Sequence, residues 1–97
     1  MRYVGFKEYV KEVLQKAEYK EDPALGCIVA IPSVLPGCMT QGDNFEQARD
    51  NLIDAIELWI TVGLRQGEKI PGINGARLVT DVEQIEKGVI NRNASYA

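Results

Sequence analysis

The chain has no histidine and only two cysteines, Cys27 and Cys38. Without histidine there is no His-dependent catalytic triad, no imidazole general base and no zinc site of the commonest kinds. Two cysteines eleven residues apart, with no CxxC spacing, are too few for a disulfide framework. No apolar run approaches the roughly 20 residues that span a bilayer. The opening MRYVGFKEYVKEV lacks the apolar centre of a signal peptide. The reading that follows is a cytoplasmic protein with no membrane partner. A strong positive charge is also missing: the net charge is −3, and a nonspecific nucleic-acid binder relies on a basic surface.

What charge there is lies unevenly. Residues 1–20 hold five basic against three acidic side chains. Residues 43–57 set Asp43, Glu46, Asp50, Asp54 and Glu57 against Arg49 alone. Such a segment suits a basic partner. At 97 residues the chain is of single-domain size, and 45% hydrophobic residues supply an ordinary core.

Phe6, Tyr9, Val10, Val13, Leu14 and Ala17 recur at helical spacing, with Lys7, Glu8, Lys11 and Glu12 opposite. This predicts a helix over 5–14 that passes into a strand near Gln15. EDPALG, 21–26, is turn material. CIVAI, 27–31, is β-branched, apolar and bounded by Gly26 and Pro32, and it predicts a strand paired antiparallel with 15–20. PSVLPG reverses the chain again, and 38–41 reads as a third strand. Asn44 is a good N-cap with Gln47 three residues on, and Ala48, Leu52, Ala55, Ile56, Trp59 and Ile60 form an apolar stripe. Glu46, Asp50, Asp54 and Glu57 line the other face. The helix runs from 45 to 66 and stops at Gly67. Ile53, Leu58, Val62 and Leu64 make the stripe wider than one sheet face needs. Either the sheet and the N-terminal helix cover them, or a subunit interface does. ARLVT, 76–80, reads as a fourth strand, TDVEQIEKG, 80–88, as a capped helical turn or a strand continuation, and the end as a frayed tail.

This order describes one α+β domain of two layers. Three antiparallel strands and a further strand are crossed by one long helix, with an extra helix at the N-terminus. The N-terminal helix spans 1–14, the core 15–80 and an extension 81–97. The extra helix is expected to cover an edge of the sheet, since open edges invite aggregation.

VAIPSVLPGCMTQGDNFEQARDNLIDAIELWI resembles the HicB family of antitoxins and their small solitary relatives. Pro32, Pro36, Gly37, Cys38, Gly42, Asp43, Ala48, Asn51 and Ala55 stand in matching places, and GEKIP at 67–71 is similar to that family's loop after the helix. The likeness covers about 14–72. It implies a βββαβ fold like a partial ribonuclease H domain, a homodimer or larger assembly, and the neutralising of a small basic HicA-like toxin that cleaves mRNA. Family members often carry a C-terminal DNA-binding unit. The extension here is too short and not basic enough for one, so no DNA binding is expected.

Each chemical motif has a structural account beside it. Pro36 and Gly37 make a turn, and Gly42, Asp43 and Asn44 break a strand and cap the helix. Cys38 has no histidine to activate it and reads as a small buried residue, as does Cys27. Tyr9 and Trp59 read as core. The helix carboxylates Glu46, Asp50, Asp54 and Glu57 point away from the apolar stripe. That suits a docking face better than a metal-dependent nuclease, which needs carboxylates converging in one cleft. The sequence thus suggests a binding module with no catalytic residue, metal or cofactor. A solitary oligomeric scaffold is the alternative, and a carboxylate-dependent nuclease a more distant one.

Overall fold

The computed structural model describes residues 2–80; the expectations for 81–97 lie outside the described residues. The elements are β1 (Arg2–Val4), α1 (Phe6–Gln15), β2 (Ala17–Asp22), β3 (Cys27–Pro32), β4 (Thr40–Gly42), α2 (Phe45–Arg65) and β5 (Ala76–Leu78). β2, β3 and β4 form an antiparallel sheet in that order. The expected α+β architecture is present, with the strand and helix limits shifted by a few residues.

The β2–β3 hairpin forms where Asp22 pairs with Cys27. Asp22 Oδ1 accepts from the backbone N–H of Ala24 at 3.0 Å, its carbonyl accepts from Gly26 N–H at 2.8 Å, and Gly26 takes φ 65°. The aspartate thus supplies the acceptors that a four-residue loop leaves unmade. Strand alternation gives the sheet two faces. Ala17, Tyr19, Ala30, Ile28 and Thr40 lie on the face that α2 covers. Glu18, Lys20, Asp22, Val29, Ile31 and Gln41 lie on the other.

α2 starts and stops as its sequence dictates. Asn44 Oδ1 accepts from Gln47 N–H at 2.8 Å, and Gln47 Oε1 accepts in return from Asp43 N–H at 2.6 Å. The reciprocal bond reaches one residue before the cap instead of the cap itself. At the far end Gly67 takes φ 72°, Gly67 N–H bonds Leu64 O and Glu68 N–H bonds Gly63 O. This paired closure satisfies the last carbonyls. Ala48, Leu52, Ile56 and Ile60 are fully buried beneath the helix. The strand ends before Asp43 and Asn44, and Gly42 stands inside it and not in the break that follows. It is the last residue of β4, paired with Ile28, and its missing side chain lets the first turn of α2 lie against the strand.

β5, the further strand of the expected fold, stands apart from the three-stranded sheet. It pairs in parallel with β1, a strand not foreseen from the sequence, in the register Arg2↔Ala76 and Val4↔Leu78. An Asn74–Gly75 turn, with φ 51° and 72°, folds Ile73 back on Ala76 and delivers β5 to that pairing. One expectation is corrected: the N-terminal helix was to cover an edge of the main sheet, but α1 packs chiefly on α2 and on β5, outside the three-stranded sheet. Its buried residues Tyr9, Val10 and Val13 need a broad apolar surface, which a strand edge does not offer.

Glu12 is the one buried charged residue described, 8% exposed. It accepts from Arg2 Nη2 at 2.6 Å and from Asn74 Nδ2 at 2.8 Å, and so ties α1 to β1 and to the turn before β5. The Asn74 hydrogen bond, helped by Arg2, holds its carboxyl below the ordinary value of 4.5, against the opposing pull of burial. A carboxyl whose folded pKa is depressed stabilises the fold above its unfolded pKa and loses that contribution as pH falls through the folded one. Glu12→Gln is therefore expected to melt below the native chain at neutral pH, and the gap should close on acidification below the usual glutamate range. Thermal melts across an acid series check this. A gap that stayed constant with pH would show that the carboxylate charge has no part in it.

Candidate partner-binding face

α2 presents its acidic residues on the side away from the core. Glu46, Asp50 and Asp54 are exposed and Glu57 is half-buried. Spacings of four, four and three residues stack them into one stripe about 16 Å long at 1.5 Å per residue. None of the four forms a salt bridge with a described residue. The stripe is bordered by exposed apolar side chains: Leu58 is 65% exposed, Val62 42% and Leu64 41%. The sheet and α1 were one expected cover for this set: Ile53 is half-buried against the core, while Leu58, Val62 and Leu64 stay exposed. The helix thus carries a line of negative charge beside a line of apolar surface. In general, charge of one sign steers the opposite sign toward it, and apolar surface beside it offers area to bury.

Asp43 stands apart from the stripe. It lines a shallow depression with Glu21, Asp22 and Cys27, at the end of the hairpin. Among the described residues no group of three or more cysteine or carboxylate side chains is placed to hold a metal ion.

The PSVLPGC segment folds as turns. Leu35 N–H bonds Pro32 O at 2.9 Å, Cys38 N–H bonds Leu35 O at 3.1 Å, and Gly37 takes φ 81°. Leu35 is buried and the indole N–H of Trp59 donates to Pro36 O at 2.9 Å, which pins the turn to α2. Cys38 is 6% exposed, and burial pushes its thiol above the ordinary value. That is the reverse of the environment that activates a cysteine. Tyr9 is fully buried and its hydroxyl donates to Pro71 O. Sequence reasoning passed over Phe45, 58% exposed, whose ring leans on Tyr19 of β2 at a centroid distance of 6.1 Å. It is the first residue of α2, and its apolar character there was the available signal.

Among the described residues no helix is long and apolar enough to cross a membrane. No curated protein matches the chain. The crystal structure of TTHA0281 from Thermus thermophilus is similar, with a TM-score of 0.72 at 24% identity, over 77% of this chain and 93% of that one. At that identity the likeness concerns the fold. A model of the UPF0150-like family matches residues 8–71, which takes in most of α1, the whole three-stranded sheet and α2, and the chain belongs to that family.

Proposed function

We propose that this chain is a HicB-like antitoxin-type module, which neutralises a small basic mRNA-cleaving toxin by docking against it, without catalysis, cofactor or metal. The observation that carries the reading is the stripe of Glu46, Asp50 and Asp54, exposed, and Glu57, half-buried, beside Leu58 and Val62 and without an ion-pair partner among the described residues. Carboxylates held on a rigid helix lose little entropy on pairing, and the apolar border supplies the dehydrated contact that charge alone does not. The family membership and the order of the motifs around Pro36, Gly37 and Cys38 support it.

The test is co-expression with the small basic protein encoded beside the chain, read by co-purification and by rescue of growth. Reversal of Asp50, Asp54 and Glu57 to lysine is expected to weaken such a complex by at least about a hundredfold, mostly through slower association and a lost salt dependence. An undiminished complex would remove the helix face from the docking site. A toxic neighbour that this chain neither binds nor silences would end the antitoxin reading.

A further inference from the structure

β2 is an edge strand. It pairs with β3 on one side, and among the described residues nothing pairs with its other side. Its six residues, AEYKED, are extended, and none is buried. Charged edges usually deter association. The charges here have a particular order. Around Tyr19, Glu18 precedes and Lys20 follows, and one step further out on the same face Lys16 precedes and Asp22 follows. The sign pattern inverts through Tyr19.

An inverting pattern has a geometric consequence. Two antiparallel copies of one strand related by a two-fold axis at Tyr19 place Glu18 of each opposite Lys20 of the other. Lys16, just before the strand, falls nearest the partner's Asp22. Every charged pair on that face is then attractive. A slip of the pairing that keeps the same faces together moves the axis to Glu18 or to Lys20. The first puts Glu18 against Glu18 and Lys16 against Lys20. The second puts Lys20 against Lys20 and Glu18 against Asp22. Both place like charges directly opposite, which destabilises a strand pair. A slip of one residue sends the faces, and with them the two α2 helices, to opposite sides; in one direction it also sets Glu18 against Glu21. The charges therefore oppose the slips that keep the faces together, and the faces themselves oppose the rest.

The other face agrees. On the α2 side the axis brings Tyr19 against Tyr19. Each tyrosine already carries Phe45 on its flank, with that phenylalanine 58% exposed at the start of the helix. The two-fold gathers four aromatic rings over the joint. This accounts for a large apolar side chain left in solvent beside an edge strand, and aromatic cross-strand pairs stabilise a sheet.

We propose that two copies of this chain associate through β2, antiparallel and with Tyr19 on the two-fold axis, to form a continuous six-stranded sheet with both α2 helices on one face. The interface is isologous, so it closes at a dimer. It uses neither the α2 acidic stripe nor the surface around Leu58, and it stands whether or not the antitoxin reading does.

The experiment uses the full chain and two single charge reversals, Glu18→Lys and Lys20→Glu, with mass measured by light scattering or sedimentation at about 100 µM, where mass action favours assembly. The native chain is expected to be a dimer. Either reversal puts two like-charged pairs at the joint and should raise the dissociation constant at least about tenfold. Equal mixing of the two variants restores both attractive pairs and should restore a dimer containing one chain of each. Recovery from two impaired variants has no explanation in misfolding, and circular dichroism of each confirms the fold. A native monomer at that concentration, single variants that stay fully dimeric, or a mixture that fails to recover would each overturn the proposal.

Discussion

Gly42→Ala is expected to lower the melting temperature by about 10–20 °C, which corresponds to a loss of about 3 kcal/mol. A Cβ at this position would lie 2.4 Å from Ala48 N, 2.8 Å from Ala48 Cα and 2.8 Å from the carbonyl carbon of Gln47. All three are backbone atoms in the first turn of α2, so no side-chain rotation relieves the clash. Either the helix withdraws from β4 or the Ile28–Gly42 end of the strand pair opens. Withdrawal also strains the cap, because Asn44 and Gln47 are hydrogen-bonded within the same turn. Gly5 is the control: its φ is −75° and a Cβ there meets nothing within 4 Å, so Gly5→Ala should leave the melt nearly unchanged. If Gly42→Ala melted with Gly5→Ala, the close approach of helix and strand would not be holding the domain together.

The second large effect is at Tyr9. The ring is fully buried among α1, α2 and the loop before β5, and its hydroxyl donates to the carbonyl of Pro71. Tyr9→Ala removes the ring and leaves a cavity, at a cost of about 3–5 kcal/mol. That is a large part of the stability of a domain this size, commonly about 5–15 kcal/mol. Tyr9→Phe keeps the ring and loses only the hydrogen bond, at about 1 kcal/mol with the Pro71 carbonyl left unpaired. Burial raises the pKa of the hydroxyl, so the donor stays protonated well into alkaline solution. Chemical denaturation of the pair separates the terms. Two variants of equal stability would mean that the hydroxyl, not the packed ring, fastens the N-terminal helix. Two variants as stable as the native chain would mean that α1 is an appendage and not part of the core.

α2 is where sequence and structure agree most closely. Its stripe of Ala48, Leu52, Ile56 and Ile60, its Asn44 cap and its Gly67 stop are local signals within one element, so the chain states them without help. The hairpin is similar, since Pro23, Gly26 and Asp22 act on neighbouring residues. The acidic stripe could also be placed in advance, because residues opposite a helix's apolar face have nowhere to go but solvent. The motif around Pro36, Gly37 and Cys38 is again local, and it folds as the turn its residues prescribe.

The remaining features needed residues far apart in the chain. Arg2–Val4 is three residues long, too short for any periodicity, and it becomes a strand only because the Asn74–Gly75 turn carries Ala76–Leu78 beside it. Glu12 reads as one more charge on a helix surface until Arg2 and Asn74 meet it in three dimensions. Gly42 looks like a turn glycine, and only the arrival of α2 shows that the space for a side chain is taken. Leu58 and Val62 belong to the apolar pattern but stay uncovered, since one helix and one small sheet have just so much surface to offer. By itself the sequence determined which segments fold and which side of α2 bears charge, because those follow from spacing and from bonds between near neighbours. The tertiary structure decided which strand pairs with which, what Glu12 and Gly42 are for, and which apolar side chains are left in solvent, because pairing and burial depend on surfaces that exist only after the elements have met.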